Sequence, residues 1–368
     1  MRFCAAPDGT RIAYAIHGSG PPLVRTATWL THLDFDWESP VWRHWLDGLA
    51  EGHTVIRYDE RGCGLSDRDV EDFSLDARVG DLETVVEAAG CGQVDLLGMS
   101  QGGPVAVAYS ARHPERVAHL VLFATYARGR LMRDPSAPAR AQAELMTSLI
   151  RMGWGQSQFA FRRLFTTLFI PDATPEQMEW FDDLQRVTTE PETALRIRHA
   201  RNHDEVVEEA RRVAVPTLVL HLRDDALVPF SEGRLLATWI PGARFVGLDG
   251  RNHIPLADDP AWDQFRAELH AFLGTVVETP AAGGRPRRPE QPRMRGGGAR
   301  RRGAEQRGDR GPPVPEQPHG RAPPVQHLRQ AARLRQGRSR RRGGPLLTPA
   351  RAPGRAPLTG PHRLCRWT

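Results

Sequence analysis

The sequence predicts an α/β fold: a mostly parallel central sheet, helices on both faces, a helical insertion and a disordered C-terminal tail. Three observations carry that expectation. Short β-branched apolar runs alternate with longer helical patterns through most of the first 280 residues, as in a parallel sheet covered on both sides. Between residues 126 and 212 the rhythm breaks and helical periodicity dominates. After Thr279 the periodicity disappears.

Taken in order, strands are expected near 11–17, 22–27, 53–58, 93–99, 117–124, 216–222 and 243–248. Helices are expected near 41–50, 74–89, 101–112, 231–240 and 261–277. The runs Val94-Asp95-Leu96-Leu97 and Leu218-Val219-Leu220 suit buried central strands. Within the insertion, amphipathic patterns cover 141–152, 156–168 and 175–187. Pro171, Pro175 and Pro191 punctuate them, and proline suits helix starts and interruptions. The expected organisation is therefore a core of residues 1–125 and 213–278, a helical cap of 126–212 and a tail of 279–368.

Charge divides the 368-residue chain in the same place. Its 50 basic residues, all arginine, and 44 acidic residues give a net charge of +6. Residues 281–368 hold 22 Arg against four acids, so the tail carries +18 and the rest carries −12. Nucleic-acid binding cannot be inferred from the basic total, because that excess belongs to the tail. Arg, Pro and Gly make up 50 of these 88 residues. Such a segment cannot bury enough apolar surface to offset its ordering entropy.

Cys4, Cys63, Cys91 and Cys365 show neither metal-ligand spacing nor a disulfide framework. No apolar run is long enough to span a membrane, and the N-terminus lacks a signal-peptide apolar region. The expectation is a cytoplasmic protein with reduced thiols and no membrane partner.

The chemistry-bearing pattern is Gly98-Met99-Ser100-Gln101-Gly102, after a buried strand and before a helix. The glycines allow a tight, strained turn that lifts the Ser100 hydroxyl out at the sheet's carboxyl edge. The following helix points its N-terminal N–H groups at developing negative charge. A serine hydroxyl is a poor nucleophile until a base takes its proton, and the base needs an acid to orient it. Asp224 and Asp225 compete for the acid's place after the strand at 216–222. His253, in the loop after the last strand, is the candidate base. His17 ends a strand, His113 closes a helix and His270 sits on a helix, and each is read as a surface or satisfied core group.

These features resemble the α/β-hydrolase family over nearly all of residues 8–277. Asp59-Glu60-Arg61-Gly62-Cys63-Gly64-Leu65-Ser66-Asp67 strengthens the resemblance. That stretch is read as structural, with glycines at positive φ, Arg61 making local hydrogen bonds and Cys63 packing. The resemblance assigns the triad acid to Asp225, four residues before Pro229, with Asp224 as the rival. It places the oxyanion donors at the backbone N–H groups of Gln101 and Trp29. Many relatives carry a His-Gly pair after the strand at 22–27; here the equivalent positions are Ala27-Thr28. Serine at the elbow speaks against the branches in which an aspartate attacks.

Four tryptophans fall within residues 29–45. Two readings stay open for them: lining a ligand pocket with the insertion, or ordinary packing. The stretch resembles a subgroup of α/β-hydrolases joined to signalling or DNA-binding domains. Read one nucleotide forward in a GC-rich gene, 304–331 admits a run resembling a LuxR-type helix-turn-helix domain. The residues from about 280 are therefore expected to be a frameshifted reading of such a domain. As written, the tail has no recognition helix, so no specific nucleic-acid binding is expected.

The resulting expectation is a serine hydrolase cleaving a small ester or related acyl substrate through Ser100, His253 and Asp225, with no metal or organic cofactor. The alternative is a ligand-sensing module of a LuxR-type regulator using the same pocket. Neither substrate identity nor oligomeric state is legible from the residues.

Overall fold

The computed structural model describes residues 1–155 and 159–274. The expected disordered tail at 279–368 and its frameshift reading lie outside the described residues.

The strands are β1 (Arg2–Ala5), β2 (Arg11–Gly18), β3 (Pro22–Arg25), β4 (Thr54–Tyr58), β5 (Val94–Met99), β6 (Val117–Phe123), β7 (Thr217–Leu222) and β8 (Arg244–Leu248). They form one sheet in the order β1-β2-β4-β3-β5-β6-β7-β8. From β4 to β8 across the sheet the pairings are parallel, and only β1–β2 and β2–β4 are antiparallel. The expected strands agree with these to within one or two residues. β1 was not expected. It is four residues long and mostly exposed, and Phe3-Cys4-Ala5 is too short to show a strand period.

Alternating side chains supply two hydrophobic layers, as the pleat requires. Leu97, Val121, Phe123, Leu218 and Leu220 face one side. Leu96, Leu120, Leu122 and Val219 face the other. On the first side pack α1 (Arg43–Ala50) and α11 (Pro260–Leu273); on the second, α2 (Leu75–Ala88), α3 (Gly103–Arg112) and α10 (Phe230–Trp239). Trp45 of α1 sits 4.5 Å from the Trp262 ring and 4.8 Å from that of Phe265, both on α11. Burying three large rings together contributes several kcal/mol, at ~25 cal/mol per Å².

Between β6 and β7 lie α4 (Arg130–Arg133), α5 (Ala137–Gly153), α6 (Phe159–Phe169), α7 (Pro175–Thr188), α8 (Pro191–Asn202) and α9 (Val207–Arg212). Thr174 and Gln177 form a reciprocal capping box at the start of α7, satisfying two N–H groups that the helix itself leaves unpaired. Among the described residues no strand interrupts this insertion. α8 and α9 were not expected as separate helices. Arg196, Arg198, His199 and Arg201 crowd α8, so its apolar stripe is narrow and its periodicity weak.

The strand order explains where a site can form. From β3 the chain crosses to β4 on one side, while β5 lies on the other. The loops leaving β3 and β5 therefore diverge at the carboxyl edge. Such a reversal opens a crevice in parallel sheets. Trp29 and Ser100 flank it.

Candidate active site

All six residues of β5 are buried, which fixes the strand end from which the next residue projects. Ser100 has φ 49°, one of two non-glycine residues with positive φ among those described. A side chain in this left-handed region is strained, and such strain persists only where the surroundings impose it. The glycines beside it serve close approach. A Cβ on Gly98 would lie 2.7 Å from that of Ala106, and one on Gly102 would lie 2.1 Å from the Thr26 hydroxyl. Backbone strain therefore sits on the serine, and the glycines provide space. The Thr125 hydroxyl donates to the Ser100 carbonyl, tying the elbow to the end of β6. A 3-10 turn at Ser100–Gly102 precedes α3, two residues later than the helix start expected near Gln101.

Asp225 follows β7 in a turn that its own side chain organises. Its Oδ1 accepts the N–H groups of Leu227 at 2.8 Å and Val228 at 3.1 Å. Its Oδ2 lies 2.7 Å from His253 Nδ1. The other imidazole nitrogen, Nε2, lies 2.8 Å from Ser100 Oγ. All three side chains are buried. Burial works against the Asp225 carboxylate, but the His253 and His221 imidazoles and the Val228 N–H prevail and hold it below the ordinary carboxylate value. Asp224 is exposed and its N–H bonds the Gly250 carbonyl; no contact ties its side chain to His253.

The loop carrying His253 is anchored from both sides. Asn252 donates to Asp259 at the start of α11 and accepts the N–H of Asp172, after α6. The Phe169 ring, at the end of α6, stands edge-on to the His253 ring at 5.7 Å. The insertion thus touches the imidazole and bounds the space in front of Ser100.

The family model for the alpha/beta hydrolase fold matches residues 32–260, more than half of the chain. The chain belongs to the alpha/beta hydrolase fold family. A protein provisionally described as a carbamate hydrolase, from Azorhizobium caulinodans, is 29% identical over 266 residues, covering 72% of this chain and 95% of its own. A non-heme haloperoxidase from Rhodococcus erythropolis is 29% identical, covering 69% of this chain and 93% of its own. Among solved structures, an esterase from a Rhodococcus species is 26% identical with a TM-score of 0.57, covering 74% of this chain and 98% of its own.

In this alpha/beta hydrolase, a cavity of about 270 Å³ opens over Ser100. Trp29 and Gln101 line it beside the serine, and Leu145, Phe165 and Leu168 give it an apolar wall. The Trp29 ring stacks on Trp154 at 5.1 Å, and the Trp29 carbonyl accepts the Thr188 hydroxyl. The aromatic segment therefore divides between the two expectations. Trp29 faces the cavity, and Trp45 packs in the core.

The Asp59–Asp67 stretch is structural in the way expected for its glycines, with φ 81° at Gly62 and 53° at Gly64. Arg61 reaches farther than the local bonding expected. It holds Asp81 of α2 with two hydrogen bonds of 2.7 Å and also Asp8 at 2.8 Å. Cys63 is fully buried, which pushes its thiol well above the ordinary value and makes it inert packing. Sequence reasoning missed Arg201. Its guanidinium pairs with buried Glu60 and donates to the Gln101 carbonyl beneath the elbow. Only the unusual burial of an arginine reveals this role, and a helix full of arginines gives no such signal. No cluster of three His, Cys, Asp or Glu side chains among the described residues is arranged to hold a metal ion. None of the described helices is long and apolar enough to cross a membrane.

Proposed function

We propose that the chain is a serine hydrolase acting on a small ester or related acyl compound. The observation that carries the reading is the continuous hydrogen-bonded relay from Asp225 through His253 to Ser100 at the floor of a cavity. Ser100 Oγ attacks the acyl carbon while its proton passes to His253 Nε2. Asp225 holds the imidazole in the required tautomer and stabilises the imidazolium. The tetrahedral oxyanion is held by the Gln101 and Trp29 backbone N–H groups. It collapses with cleavage of the C–O bond, and the proton on His253 goes to the departing alkoxide. Water, giving a proton to His253, then attacks the acyl-enzyme. The acid is released and Ser100 recovers its proton. The helices of 126–212 act as the cap that shapes this pocket.

The hydrolase and esterase names of the relatives agree with acyl transfer to water. Ala27-Thr28 in place of the His-Gly pair is the feature that speaks for the ligand-sensing alternative, and one assay separates the two. Wild type should turn over p-nitrophenyl butyrate, and Ser100→Ala should lose at least ~1,000-fold in kcat. Comparable rates in the two proteins would reject the serine mechanism. Saturable binding without turnover by wild type would support a sensor.

A further inference from the structure

Besides Arg201, which is paired with Glu60, three arginines from two helices line the cavity: Arg130 and Arg133 of α4 and Arg198 of α8. Each is only part-exposed. None pairs with a carboxylate among the described residues. Arg130 donates to the neutral amide of Gln142, and the Arg133 guanidinium lies 5.7 Å from the Tyr126 ring centre. Nε of Arg130, NH1 of Arg133 and Nε of Arg198 are buried without a hydrogen-bond partner. The nearby acids have other partners, although Glu232 also attracts Arg133 and keeps one buried oxygen without a hydrogen bond. Glu232 pairs with Arg128 at 3.0 Å, Glu60 pairs with Arg201, and exposed Asp134 accepts the Ser136 N–H.

Three like charges gathered in a half-buried site repel one another and lose hydration. Burial, with Arg130 nearby, lowers Arg198 to about 10. An arrangement that costs stability and leaves guanidinium donors unused is the form an oxyanion site takes before its ligand arrives. The same cavity holds Ser100 and apolar surface from Leu145, Phe165 and Leu168.

We propose that the substrate is an ester with a free carboxylate at its far end, the anion held by Arg130, Arg133 and Arg198 and the acyl carbon delivered to Ser100. This rests on the serine-hydrolase reading and narrows its substrate class. A hemiester of a short dicarboxylic acid has the required form. Water and the hemiester give the dicarboxylate and the alcohol, and the newly formed acid group releases one proton.

The test compares monomethyl adipate with methyl hexanoate, which has the same chain length and no carboxylate, by following methanol release. Wild type should favour the hemiester by ~10-fold or more in kcat/KM, the equivalent of one charge-assisted hydrogen bond. The preference should shrink in about 0.5 M sodium chloride. Arg198→Gln and Arg133→Gln should each bring the ratio of the two esters toward one, mainly through KM. Arg151→Gln, on the exposed surface of α5, should leave the ratio as it is. A wild-type ratio near one, or a ratio that survives both arginine substitutions, would overturn the proposal.

Calorimetry of monomethyl adipate on the Ser100→Ala protein reads the anion site without turnover. Saturable binding that Arg198→Gln abolishes supports it even if no ester is hydrolysed, in which case only the hydrolase reading falls. Serine-dependent hydrolysis of methyl hexanoate with no adipate binding removes the anion site and leaves the hydrolase reading standing.

Discussion

His253 Nε2 lies 2.8 Å from Ser100 Oγ although 153 residues separate them in the chain. Two different strand ends bring them together: the elbow leaves β5, and the histidine loop follows β8. Each member of the relay is therefore held by the sheet through its own loop.

That geometry predicts how substitutions divide the activity. Asp225→Asn should keep the fold but reverse the hydrogen bond that sets the tautomer of His253, lowering kcat about 10,000-fold. His253→Ala should fall to a similar floor, and the double variant should lose little more, because the residues act as one unit. Steady-state kinetics on the two single variants and the double variant would check this. Additive losses would contradict a shared relay.

The strained backbone at Ser100 predicts a conflict between stability and function. At φ 49° a Cβ is penalised and glycine is not, so Ser100→Gly should be about 1 kcal/mol more stable than Ser100→Ala. Both should be inactive. Urea midpoints of the two variants would measure the difference, and equal midpoints would show that the backbone relaxes once the hydroxyl is gone.

Close approach predicts a coupling between Gly102 and Thr26. Gly102→Ala would force a Cβ to 2.1 Å from the Thr26 hydroxyl oxygen and should destabilise by roughly 1–3 kcal/mol. Thr26→Ala removes that oxygen, so the double variant should recover part of the loss. Losses that simply add would place the strain elsewhere.

Much of this architecture is legible in the residues, for identifiable reasons. Leu96, Leu97, Leu120 and Val121 are apolar on both faces of their strands, which only a doubly covered sheet allows. The order Ser100, Asp225, His253 with a strand before each is likewise visible. Arg2–Ala5 was hidden because a four-residue, mostly exposed edge strand is too short to show alternation. The arginine cluster was hidden for a different reason. Arg130 and Arg133 stand about 65 positions before Arg198, and an arginine on a polar helix looks like solvated surface until the fold turns it inward. Glu60 and Arg201 met the same obstacle, because a buried ion pair has no local signature.

Asp36 offers a pH-dependent test of the loop around the aromatic segment. Burial pushes its carboxyl up to about 7, against the pull of Arg25 and Arg57. A carboxyl whose native value is raised is easier to ionise in the unfolded chain. Its contribution to stability is therefore lost as pH rises from the ordinary 3.8 toward 7, and stays lost above that. Asp36→Asn removes this penalty, so its stability advantage over wild type should be larger at about pH 8 than at about pH 5. Denaturant midpoints at both values would check it, and an advantage independent of pH would show that Asp36 ionises freely.

The most direct test of the nucleophile is covalent. A fluorophosphonate probe attacked by an activated serine leaves a stable phosphonyl ester on its oxygen, and peptide mass spectrometry locates it. The relay predicts a single adduct on Ser100, abolished in Ser100→Ala and strongly slowed in His253→Ala. An adduct on another residue, or labelling that His253→Ala leaves unchanged, would contradict it.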